Sequence, residues 1–171
     1  MSKAFTREEN EGPDRPELLF RPSALPPGVI NYMTRAGADR LREELVRLVD
    51  LERPRLLAAA GDAEAARQLS VVNQRIAQLE QILDSAQITV PPKNPDRVTF
   101  GATVTVRDAH GEQQIYRIVG VDEVDTDRGW ISWRSPLARA LINAKPGQQV
   151  RFRSPGGEET IEVLTVAGAD S

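Results

Sequence analysis

The side chains that most often do chemistry are nearly missing from this sequence. It has no cysteine and a single histidine, which excludes a disulfide framework, a zinc site of the Cys/His kind and a cysteine nucleophile. The histidine, His110, stands beside Gly111 between two strand-like runs, where a turn residue is the expected role. Aromatic residues make up 5% of the chain, too few for a platform that stacks nucleic-acid bases. The densest basic run is Arg40, Arg42, Arg47, Arg53 and Arg55, but Asp39, Glu43, Glu44, Asp50 and Glu52 interleave with it. That pattern predicts a solvated helix face laced by pairs four residues apart, such as Glu43 with Arg47.

Charge elsewhere is equally even. Residues 1–28 carry four basic and five acidic groups, 34–90 eight and nine, and 97–171 nine and ten, for a net charge of −3. No segment has the clustered excess needed to hold duplex DNA by itself. A length of 171 residues allows one ordinary domain or two small ones, and 40% hydrophobic residues are enough for an aliphatic core. No run of about 18 apolar residues occurs, and the charged stretch Met1–Glu11 has no apolar segment behind it. Neither a spanning helix nor a signal peptide is expected, and the predicted location is cytoplasmic.

Five of the 12 prolines fall before residue 28, among mixed charges, so residues 1–28 are expected to form a disordered tail. Leu18, Leu19 and Phe20 are its one apolar group. From Thr34, a suitable N-cap, Ala38, Leu41, Leu45 and Leu48 recur at helical steps, continuing through Leu51 and Leu56 or Leu57 past Pro54, where a bend is expected. After Gly61 and Asp62 a second stripe, Leu69, Val72, Ile76, Leu79, Leu83 and Ala86, has the alternating three-four spacing of a coiled coil. Two such stripes joined by a short turn predict an antiparallel helical hairpin, and the short turn favours folding back as a monomer. At about 1.5 Å per residue, the first arm to Ala60 spans roughly 39 Å. The predicted hairpin domain is 29–90, ending in a strand-like Ile88–Val90, and a proline-rich linker, 91–97, follows.

From residue 98 the pattern is α+β. Val98 and Thr103–Val106 read as strand, Asp108–Gly111 as a turn and Gln114–Val119 as the returning strand. Trp130–Trp133 gives a third strand, whose odd spacing puts the two tryptophans on opposite faces, one in the core and one exposed or covered by the hairpin. Ser135 caps a short helix, Leu137–Asn143, with Pro136 in its first turn. Strands at Gln149–Arg153 and Thr160–Val166 complete a small antiparallel sheet with one helix.

Several residues in this order resemble one known family. They are Asn31-Tyr32-Met33-Thr34, Leu41-Arg42-Glu43-Glu44-Leu45, Glu52-Arg53-Pro54, Gly61-Asp62, Phe100-Gly101-Ala102, Tyr116-Arg117-Ile118-Val119-Gly120, Ile131-Ser132 and Ser135-Pro136-Leu137-Ala138-Arg139-Ala140-Leu141. The chain is similar over residues 31–167 to the GreA/GreB transcription elongation factors, closer to GreB. The resemblance implies a coiled coil entering the secondary channel of RNA polymerase and an FKBP-like domain, here 98–171, docking outside it. RNA or DNA would be met only within the transcription complex, and no membrane is involved. The resemblance also implies two tip carboxylates that share a Mg²⁺ with the polymerase active site, so any RNA cleavage is the polymerase's and the chain has no cofactor of its own.

The sequence departs from that pattern in three places. The family tip reads Gly-Asp, two residues, Glu-Asn-Ala, an acid and Tyr, whereas here Ala65 stands at the second carboxylate and Gln68 and Leu69 replace the acid and Tyr. Asp62 and Glu64 are then the candidate catalytic and metal residues. Two helical positions turn them about 200° apart, and an N-cap role is the stronger expectation for Asp62. The arms are also about two turns shorter than in the family, which withdraws the tip by roughly 10 Å. Third, Arg134 replaces the acid before Ser135-Pro136, reversing a charge in the expected docking loop. The expected function is a polymerase-binding regulator with weak or absent cleavage stimulation. A fully active factor using Asp62 and Glu64 is the alternative, and an FKBP-type prolyl isomerase or chaperone the distant one.

Overall fold

The computed structural model describes residues 25–59 and 61–168. Most of the expected tail, with its apolar group Leu18-Leu19-Phe20, therefore lies outside the described residues. The first large unit is a pair of helical arms. Thr34 opens helix α1 (Arg35–Arg47), its Oγ1 accepting a hydrogen bond from the Gly37 N–H. Leu48–Glu52 then form a π turn before α2 (Arg53–Ala58). Pro54, in the first turn of α2, has no N–H to give, and the wider turn fits its ring without breaking the arm.

That turn also decides which leucines are buried. In an unbroken α-helix Leu56 would be rotated about 80° from Leu48, but a turn that absorbs one extra residue reduces the offset to about 20°. Leu56 is accordingly 5% exposed, whereas Leu51, expected in the buried stripe, is 66% exposed. The same turn corrects the ion pairing: Arg47 approaches Glu52 at 3.9 Å, not Glu43.

The Asp62 N–H donates to the Ala59 carbonyl, and the chain returns as α3 (Ala63–Ser85), about 35 Å long. Ile76, Leu79 and Ile82 pack with Ala38, Leu41 and Leu48 of the first arm and Met33. Each leucine, isoleucine or methionine among them contributes about 1.5–3 kcal/mol when fully buried. Ile82 is buried where the heptad reading expected Leu83, which is only partly covered; the buried face is broader than a coiled-coil seam. Across the arms Arg75 grips Glu44 with two hydrogen bonds, 2.7 and 3.0 Å.

A parallel ladder closes the base of the arms. Strand β1 (Asn31–Met33) precedes α1, strand β2 (Ala86–Ile88) follows α3, and Asn31 lies opposite Ala86. Asn31 Nδ2 donates to the Ile82 carbonyl and Ser85 Oγ, fastening β1 to the end of α3. The sequence reading placed the strand two residues late, at Ile88–Val90, and missed β1, because three-residue strands are too short to show alternation.

The second unit is a five-stranded sheet: β3 (Thr103–Arg107), β4 (Gln113–Val119), β5 (Trp130–Ser132), β6 (Gln149–Ser154) and β7 (Gly157–Ala167), in the order β5-β4-β3-β7-β6. At the β3–β4 turn Asp108 Oδ1 accepts from the N–H groups of His110 and Glu112. Helix α4 (Pro136–Leu141) lays Ala138 and Leu141 against Val104, Val106, Ile118, Ile161 and Val163. The sheet is mixed, not purely antiparallel as expected, because β5 runs parallel to β4. The connection between them coils through two short 3₁₀ turns, Val121–Glu123 and Thr126–Arg128, and re-enters in the same direction. Val98 is buried outside the strands, its N–H and C=O bonded to Ala144 and Asn143.

The two units meet over aromatic rings. Trp133 packs on the sheet core and lies edge-on to Tyr32 at 5.4 Å, while Tyr32 also meets Phe100 at 5.8 Å. Trp130 is half-buried and covered from the helical side by Arg40.

Candidate functional site

At the tip Asp62 is extended (φ −97°, ψ 127°), and its Oδ1 accepts from the Glu64 N–H at 3.0 Å. It is the N-cap of α3, its charge set at the positive end of the helix dipole. Glu64 points the other way along the helix. One of its oxygens meets Arg67 at 2.9 Å and the other accepts from Gln68 Nε2 at 3.1 Å. Both carboxylates are exposed, but the structure does not converge them, and among the described residues no group of three His, Cys, Asp or Glu side chains is placed to hold a metal ion. Ala65, where the family pattern has its second acid, is 6% exposed and faces the interior at the same end as Leu56.

The base holds a network that sequence reasoning missed. Glu123, from the first 3₁₀ turn, is 1% exposed, yet its carboxylate reaches the start of α1. It accepts from the Thr34 N–H at 3.0 Å, from Thr34 Oγ1 and from the Gly120 N–H at 2.8 Å. A carboxylate from the sheet unit thus completes the cap of the helical unit, where the helix dipole favours negative charge. Close approach is required: a Cβ on Gly37 would stand 1.9 Å from Glu123 Oε1, and one on Gly120 2.4 Å from the Tyr32 carbonyl oxygen. The available signals were Thr34 and the two glycines, and none of them names a partner 89 residues away. Beside this joint, burial raises the pKa of the Asp122 carboxyl from its ordinary value, against the opposing pull of Arg75.

The third region is the loop into α4. Ser135 Oγ accepts from the Ala138 N–H at 3.1 Å and Pro136 fills the first helical turn, as expected for a cap. Arg134 and Pro136 are exposed, and the Arg134 N–H donates to Ser132 Oγ. Arg134, Ser135 and Pro136 therefore lie together on one turn, while Asp62 and Glu64 sit at the opposite end of the helical pair from its joint with the sheet.

These features define a two-part α+β protein in which a projecting helical pair is fastened to a mixed sheet by a buried carboxylate. The family model described as "Transcription elongation factor, GreA/GreB, C-term" matches residues 92–167. Transcription elongation factor GreB of Neisseria meningitidis serogroup A is 39% identical over 151 residues, covering 80% of this chain and 93% of that protein. GreA of Anaeromyxobacter sp. (strain K) is 43% identical over 150 residues, covering 79% and 90%. Among solved structures, GreA factor homolog 1 (Gfh1) of Thermus thermophilus aligns at a TM-score of 0.40 and 24% identity, over 80% of this chain and 98% of that one. The chain belongs to the GreA/GreB family of transcription elongation factors.

Proposed function

We propose that this protein binds RNA polymerase as a Gre-type regulator and stimulates transcript cleavage weakly or not at all. In this reading the helical unit, 29–90, acts as a coiled-coil hairpin directed into the secondary channel. The linker, 91–97, joins it to an FKBP-like unit, 98–171, which docks outside through Arg134, Ser135 and Pro136. Family membership supports the partner, and one observation supports the restraint on cleavage: Asp62 caps α3 while Glu64 is turned away to Arg67 and Gln68. Two tip carboxylates sharing one Mg²⁺ would have to converge on it, and Asp62 and Glu64 do not. The shorter arms, withdrawn by roughly 10 Å against the family pattern, act in the same sense.

The prolyl isomerase reading is disfavoured by the space between α4 and the sheet. The cavity there, lined by Val106, Tyr116, Leu137, Phe152 and Ile161 among others, is about 50 Å³, far below the 300 Å³ or so of ordinary ligand pockets. A pull-down with core RNA polymerase tests the proposal first, and no association at micromolar concentration would remove it. Cleavage in stalled complexes tests the second half. A strong stimulation that disappears in Asp62→Ala would establish the fully active alternative, with Asp62 and Glu64 recruited to the metal.

A further inference from the structure

Trp130 gathers more positive charge than its surroundings balance. The guanidinium carbons of Arg40, Arg117 and Arg128 lie 5.8, 5.4 and 5.1 Å from its ring centroid. They come from three elements: Arg40 from α1, Arg117 from β4, where it is the direct neighbour of Trp130 across the parallel ladder, and Arg128 from the turn before β5. Among the described residues only Arg128 of the three forms an ion pair, with Asp125 at 3.5 Å. Among the described residues Arg40 and Arg117 form no ion pair, and the Arg117 Nε is buried without a hydrogen-bond acceptor. One carboxylate against three guanidiniums leaves two positive charges together, in a chain whose net charge is −3. The ring quadrupole attracts each cation but does not cancel their mutual repulsion.

We propose that this cluster is an oxyanion site whose ligand is a carboxylate side chain presented by a partner protein. Guanidinium forks match a carboxylate bidentately, and the exposed Arg40 and Arg128 flank the half-buried Arg117 over one ring. A nucleic-acid strand fits less well. Guanidiniums already lie over the ring on which a base would stack. The site spans both units, so an occupant would hold Arg40 of the helical pair and Arg117 of the sheet at once. Strand β5 leads directly to Arg134-Ser135-Pro136, which places the site beside the proposed docking loop. The identity of the partner rests on the polymerase reading; the carboxylate chemistry does not.

The test uses the full chain, one of whose two tryptophans, Trp130, lies in the site. At constant ionic strength its emission is followed on adding a hexaglutamate peptide and, separately, a uridine hexanucleotide. Hexaglutamate is expected to give a saturable change, with affinity about tenfold lower in the Arg40→Gln/Arg117→Gln variant and RNA about tenfold weaker than the peptide. Tighter binding of the RNA, or an affinity for hexaglutamate unchanged by the double substitution, overturns the proposal. Because Arg117 lies within the sheet, Arg40→Gln alone, at an exposed helix position, is measured beside it with circular dichroism. An unchanged spectrum with about threefold weaker binding supports the site, and unchanged binding overturns it. Core polymerase separates the two readings. A wild-type chain that takes hexaglutamate through these arginines but ignores polymerase refutes the polymerase reading and supports the site. Polymerase binding without arginine-dependent hexaglutamate uptake does the reverse.

Discussion

The two ends of the helical pair are built in opposite ways. At the tip one exposed side-chain hydrogen bond, from the Glu64 N–H to Asp62 Oδ1, caps α3, and a Cβ on Gly61 would meet nothing within 4 Å. At the base, Glu123 receives three hydrogen bonds out of contact with water, and Gly37 is pressed against it. Structural commitment is concentrated where the arms join the sheet. The tip is built as an ordinary helix cap.

Substitutions should magnify this contrast. The largest effect is expected from Glu123→Ala, which strands the buried N–H groups of Thr34 and Gly120 and should cost about 3 kcal/mol in urea denaturation, with Glu123→Gln losing less. Next comes a pair of identical changes with opposite signs. Gly37→Ala drives a methyl into the Glu123 carboxylate and should destabilise by about 1–3 kcal/mol. Gly61→Ala, in open space, should stabilise by about 0.4–1 kcal/mol by restricting the unfolded chain. Equal effects at the two glycines would erase the distinction between tip and base.

Asp62→Ala should cost about 1 kcal/mol, the worth of an N-cap, read as faster hydrogen exchange in the first turn of α3. The smallest effect concerns Asp122. Folding raises the pKa of its carboxyl, so the neutral form is favoured in the fold, and its contribution is complete below the unfolded pKa and lost as pH rises through the folded value. Asp122→Asn should therefore raise Tm by about 1–2 °C at pH 7, with the advantage shrinking as the medium is acidified into the carboxyl range.

What the sequence made legible was local. Thr34, Asp62 and Ser135 are caps in the structure because a short oxygen-bearing side chain before a helix has a nearby N–H to accept from, whatever the rest of the chain does. The strands and the apolar faces of both arms follow from periodicity for the same reason. The failures were all non-local or register-dependent. Pro54 predicted a bend, but not that a π turn would expose Leu51 and bury Leu56. Strands β1 and β2 exist because they pair with each other across 55 residues, and β5 runs parallel because of coils in its connection. Glu123 reads as one more acid in an acidic turn until the fold brings Thr34 to it. Of the candidate site, Arg134-Ser135-Pro136 was legible as a turn, while the arginine cluster on Trp130 needed α1 and the sheet brought together.

Transcript cleavage in stalled polymerase complexes, with saturating factor and Mg²⁺, tests the central claim most directly. With polymerase binding shown in the same reaction, cleavage is expected to run about as fast as without the factor and to be unaffected by Asp62→Ala or Glu64→Ala. A strong acceleration that either substitution abolishes would mean that the tip carboxylates leave their helix-cap and Arg67 contacts to work in the active site, and would contradict the account.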